Sequence, residues 1–188
     1  GSIAGWDQTE MFVLLSVFTM YDAFIWSWFY FNMRRYTENV FNGELDGFLV
    51  KPIDLQFFVS VQHNSYNNVF RLAFGVGMLI TSVSKLPYSI SILEWLLFVC
   101  LFILGFILIY SLWFILATCS FWIDRLNNIG DIIPSLRRLN QFPREVYSGI
   151  ASFLFTGLFP IVLVTSLPAE VLTHRVSLQW VLYFTFLT

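Results

Sequence analysis

The sequence predicts an all-α, polytopic membrane protein folded as a helix bundle. Trp95 to Ile123 runs twenty-nine residues without an Asp, Glu, Lys or Arg, Met11 to Met33 carries only Asp22, and Val146 to Ala169 carries no formal charge. A bilayer core about 30 Å thick is crossed by roughly 20 apolar helical residues, so each stretch is long enough to span. Composition agrees, with 57% hydrophobic, 20% aromatic and 12% charged residues and a mean hydropathy of +0.72. An ordinary soluble domain carries about 25% charged residues. A formal charge of -2 over 188 residues leaves no basic footprint for nucleic acid, and the length fits a single membrane domain, residues 1–188.

The first span is expected over about residues 11–33. A central Asp costs about 2.5–3.5 kcal/mol on the insertion scale, and each Leu, Ile, Phe or Val returns about 0.3–0.6. Ten such residues between Met11 and Phe31 outweigh Asp22. Trp26, Trp28 and Tyr30, followed by Arg34 and Arg35, mark the interface. A polar loop is expected over about 34–54, then a second span over about 66–84, with Arg71 snorkelling to the nearer surface. The third lies within about 90–122, and a charged loop follows over about 124–145. The fourth covers about 146–168, kinked by Pro160. The fifth begins near 177 and stops at 188, too short to cross.

Alternating spans put the loops at 34–54 and 124–145 on one side. They hold Arg34, Arg35, Lys51, Arg125, Arg137, Arg138 and Arg144, against Lys85 and Arg175 opposite, which places the longer loops in the cytoplasm. The chain then reads as a fragment lacking the first helix and most of the last, with about six helices in the intact polypeptide. Cys100 and Cys119 are nineteen residues apart, about 28 Å along one helix and beyond disulfide reach.

In the first loop, helical spacing puts Val40, Phe41, Leu45, Phe48 and Leu49 within about half a turn of arc, with Glu44 inside the stripe. Gly43 and Gly47 weaken that helix, and Pro52 stops it. Periodicity alone leaves two readings: an interfacial helix that joins two spans, or a cytoplasmic helix that docks into a soluble partner.

Gly43, Leu45, Asp46, Leu49 and Pro52, after an aromatic-rich span, resemble the loop that follows the second span in a subfamily of type-2 ABC exporter permeases. At the fourth span, Phe142, Pro143, Tyr147, Pro160, Pro168 and Ala169 are similar to that subfamily's segment of aromatic-Pro, Tyr, long apolar run, Pro and terminal Pro-Ala, and Ser120-Phe121-Trp122 is a weaker echo. The resemblance implies a six-span permease in the cell membrane of a bacterium or archaeon. It also implies a second permease, either a copy or a sister subunit. Separate ABC-type ATP-binding subunits would carry ATP and Mg, with no cofactor on this chain. The loop would contain the coupling helix, with Glu44, Leu45, Asp46, Phe48 and Leu49 as docking contacts, shaped by Gly43 and Pro52. The chain itself has no GxxxxGK[ST] phosphate loop.

Asp22 reads either as a substrate-pathway carboxylate or as a structural one satisfied by a neighbouring helix. Glu94 lies near enough to a helix end to reach water. His63 and His174 fall on opposite sides and form no metal set, while Asn67, Asn68 and Arg71 share one helical side. A membrane-embedded enzyme acting on lipid-linked substrates is the rival from another class. It would draw on Glu38, Glu44, Asp46 and Asp54, and Asp46→Asn would abolish its chemistry with ATP irrelevant. An ATP-independent transporter or channel would want repeated halves, and no internal repeat is present. The cargo is not legible in the sequence.

Overall fold

A computed structural model describes residues 4–50, 52, 54–63, 65–119 and 132–188, with the backbone alone at Leu49 and Ile133. Every element among them is helical. The chain opens on α1, Gln8–Asn42, unbroken for 35 residues. Glu10 starts it by accepting the backbone N–H of Asp7 at 2.8 Å. A π-helical segment, Ile25–Phe29, lies within it. Gly43, at φ 70°, ends it in the left-handed conformation that a Cβ disfavours, and Glu44 N–H returns to Asn39 O at 2.9 Å.

Two short helices follow, α2 (Asp46–Leu49) and α3 (Leu55–Val61). Helix α4, Val69–Val83, is entered through a 3-10 turn at Tyr66–Asn68. Next comes α5, Ile92–Thr118, which with α1 is long and apolar enough to cross a membrane. A reciprocal capping box begins α5: Ser91 N–H donates to Glu94 Oε2 at 2.7 Å, and Glu94 N–H to Ser91 Oγ at 3.3 Å. Beyond it come α6 (Ile132–Leu136), then α7 (Gly149–Leu158), whose second part is π-helical. The chain closes with α8 (Leu163–Leu172) and α9 (Leu178–Leu187).

The bundle is built on α1. It runs antiparallel to α4 with Gly75 against Met20, where a Cβ would come within 2.9 Å of Met20 Cγ. On its other side stand α5 and α8. Tyr21 stacks obliquely on Phe102 and Phe106, with centroids at 4.2 and 4.6 Å, and donates its hydroxyl to Phe102 O at 2.6 Å. Small residues let these backbones approach, as bilayer packing requires. Every residue of α8 is buried.

Four expectations change. The first crossing does not give way to a loop at Arg34, because the helix continues to Asn42 with Met33 and Tyr36 buried. Tyr36 stacks on Phe114 at 5.5 Å, and that cover sustains helix where the sequence turns polar. The stripe from Val40 to Leu49 is not one helix, since Gly43 breaks it. The stretch expected as one span with a Pro160 kink is two helices, α7 and α8, bent by 85°. Phe159 to Val162 lie between them, where Pro160 supplies no N–H.

The second charged loop also fails to stay at one end of the bundle. Residues 124–131, with Arg125, lie outside the described residues, as do Lys51, Asn64 and Ser120-Phe121-Trp122. Arg137 sits beside Asp22, 3.2 Å from its Oδ1. Glu145 accepts from Trp6 Nε1 at 3.2 Å, and Arg144 pairs with Glu170 at 2.8 Å. Arg144 thus joins Arg175, which pairs with Glu10 at 2.8 Å, at the Trp6 end of the bundle. Pairing with buried carboxylates outweighs the solvent preference of these arginines, and the cation tally for orientation loses Arg144.

Candidate functional site

The turn after α1 is a compact tip. Leu45, named by the resemblance among the docking contacts, is 5% exposed, and Phe48 packs its ring on Phe58 at 5.3 Å. Both hold the tip onto the bundle. The Leu49 side chain lies outside the described residues. Glu44, Asp46 and Gly47 are exposed, as are Phe41 and Val50, so the free face is acidic with apolar residues at its rim. Pro52 is exposed in the bend beyond, and Asp54 caps α3 by accepting Phe57 N–H at 2.7 Å.

The tip is tied to the bundle by α3. Asn32, 1% exposed, donates to Ser60 O at 2.8 Å and to Trp28 O at 2.6 Å, and accepts His63 N–H at 2.8 Å. Ser65 N–H donates to Ser27 O at 2.8 Å, inside the π-helical segment. Ser60 Oγ meets Tyr110 Oη at 2.7 Å, fastening α3 to α5. Through α3 the tip is thus fastened to both α1 and α5.

Fourteen residues into α1, Asp22 is 3% exposed and lies between two arginines. Arg71 Nη1 of α4 is 2.5 Å from its Oδ2, and Arg137 Nη1 is 3.2 Å from Oδ1. The Arg137 guanidinium also rests over Trp26, 5.4 Å from the ring centroid. Tyr21, next in sequence, meets α5 near that helix's centre, so Asp22 lies at mid-length of the bundle, and Arg71 and Arg137 reach it from positions 40% and 36% exposed. Asn140 is buried beside it, and its Oδ1 has no hydrogen-bond partner among the described residues. The cavity here, lined by Asp22, Trp26, Arg137 and Asn140, is about 20 Å³. That is room for about one water, not for a cargo. The arrangement is an ion lock that joins α1, α4 and the segment before α7.

Of the partners of Asp22, Arg71 had a signal in the sequence: a cation interrupting one span after an anion interrupted the span before. Arg137 had none, because its loop reads as solvated. A second buried pair, Glu170 with Arg144, was equally hidden. Glu94 does lie at a helix end, where it also pairs with His174 at 2.8 Å.

Comparison with known proteins gives one finding on this frame of helices. A family model described as ABC-2 family transporter protein matches residues 1–188. Searches of curated proteins and of solved structures gave no match. A match over the whole length, on a helical chain with spans long and apolar enough to cross a bilayer, makes this a membrane protein with a permease role. The chain belongs to the ABC-2 family of transporter proteins.

Proposed function

We propose that this chain is the membrane-spanning permease subunit of an ATP-driven exporter in the cell membrane of a bacterium or archaeon. It works beside a second permease, either a copy or a sister subunit. Separate ATP-binding subunits, which carry ATP and Mg, dock on the turn from Gly43 to Val50. One observation carries the reading: α1 runs without a break from the Trp6 end, past Asp22, to that exposed acidic tip. Thirty-five residues of helix extend about 52 Å, some 20 Å more than a hydrocarbon core.

Closure of the ATP-binding subunits pushes on Glu44 and Asp46, and the rigid helix carries the push to the depth of Asp22. There the contacts with Arg71 and Arg137 are the interactions that differ between the two states of the pathway, as a two-state transition requires. Leu45 and Phe48 serve as the joint that fixes the tip to α3. Asp22 acts through this lock; it does not touch cargo in the closed arrangement.

The test is charge reversal on the exposed face. Glu44→Lys with Asp46→Lys in the full-length permease, assembled with its ATP-binding subunits in liposomes, should lower permease-stimulated ATP hydrolysis about tenfold, the scale of a rim charge mismatch. The unfolding midpoint of the permease should hold, because both side chains are exposed. Unchanged ATP hydrolysis would remove the tip from the coupling path.

A further inference from the structure

A groove of about 770 Å³ lies between α1 and α4 at the Trp6 end. Its mouth is polar, formed by Gln8 and Thr9 from the first turn of α1 and by Lys85 from the turn after α4. Its floor is apolar, with Phe12, Phe74 and Gly77. Gly77 lies six residues before the end of α4 at Val83, about 9 Å along the helix, and Phe74 nine residues, about 14 Å. The trough thus runs about 14 Å along α4 from the bundle end, a length that matches one leaflet of a 30 Å hydrocarbon core.

Residue 77 keeps this trough open. A Cβ built on Gly77 meets no atom within 4 Å, whereas one on Gly75 would strike Met20. One glycine of α4 therefore packs against α1, and the other leaves space. Among the described residues, Lys85 makes no ion pair. The carboxylate of Glu10, one turn into α1, is already taken by Arg175 at 2.8 Å. An ammonium with no counter-ion, set over an apolar trough of one leaflet's length, complements a negative headgroup on an alkyl chain.

We propose that this groove binds one anionic amphiphile, its phosphate-bearing head at Lys85, Gln8 and Thr9 and its acyl chain along Gly77. The ammonium of Lys85 donates to the phosphate oxygens, and the chain replaces the side chain that residue 77 lacks. The site is separate from the Gly43 tip and does not depend on how ATP is coupled.

The test uses the full-length permease in nanodiscs of equal parts phosphatidylglycerol and phosphatidylcholine, with retained lipid counted by native mass spectrometry. The unmodified protein should retain phosphatidylglycerol preferentially. Lys85→Gln should cut that retention about fivefold, the effect of one basic residue near the surface, without altering phosphatidylcholine. Gly77→Phe fills the trough and should abolish retention of both lipids at an unchanged unfolding midpoint. Arg34→Gln, a residue paired with Glu38 at 3.1 Å toward the other end of α1, should change nothing. Full retention in both Lys85→Gln and Gly77→Phe overturns the proposal. So does displacement of the lipid by free glycerol phosphate, which would make the site one for a soluble anion. A Gly77→Phe protein that loses its dimer while its lipid count holds assigns the groove to a second polypeptide, with the same consequence. Should Gly77→Phe fail to fold, the surface variant Lys85→Gln decides alone.

Discussion

Asp22→Ala should destabilise the permease by about 1–3 kcal/mol, less than a fully buried pair would lose, because its partners Arg71 and Arg137 stay 40% and 36% exposed. Two guanidiniums, Arg71 and Arg137, then share a site with no anion. For a chain of this size that is roughly a 5 °C fall in unfolding midpoint, read by heating the purified protein and following its elution as a folded species. Arg137→Gln should cost clearly less, because it leaves the Asp22–Arg71 pair intact at 2.5 Å and neutral overall. Equal losses in the two variants would show that charge balance does not hold this cluster together. A pathway role for Asp22 predicts a different pattern: a folded Asp22→Ala protein with transport lost.

Gly105→Leu should be nearly as damaging. A Cβ at this position would overlap Tyr21 Oη and come within 3.0 Å of Val164 Cγ1, so the change forces α5 away from α1 and α8 together. Overpacking costs about 1–3 kcal/mol and sometimes more, and here the bond from Tyr21 to Phe102 O is lost as well. The expected result is a sharp drop in folded yield from the membrane. Cys100→Leu, an exposed position on the same helix, should leave the yield unchanged. A normal yield for Gly105→Leu would mean that α1, α5 and α8 do not meet at this residue.

The helical membrane architecture was legible because bilayer thickness converts directly into uncharged length. Val69–Val83 and Ile92–Thr118 fall within the stretches that hydropathy marks. What hydropathy does not encode is tertiary pairing. Arg34 to Asn42 read as a loop because their polarity resembles that of solvent-facing chain, yet Met33 and Tyr36 bury one side of it against α5. Arg144 reads as a cytoplasmic charge until Glu170 is brought to it by the fold. At the tip, the resemblance named the residues of one turn together and could not separate Leu45, turned inward, from Glu44 and Asp46, turned outward. That distinction depends on α3 lying underneath, and α3 is visible only in three dimensions.

ATP-binding subunits are proposed to act on this chain through the Gly43–Val50 turn. A photo-crosslinking residue placed at Asp46 in the full-length permease, within the assembled complex, tests it most directly, with a second placed at Ser84 beyond α4. Crosslinks to the ATP-binding subunit from position 46, and none from position 84, are the result expected. No crosslink from 46, or an equal one from 84, would remove the turn as the docking site.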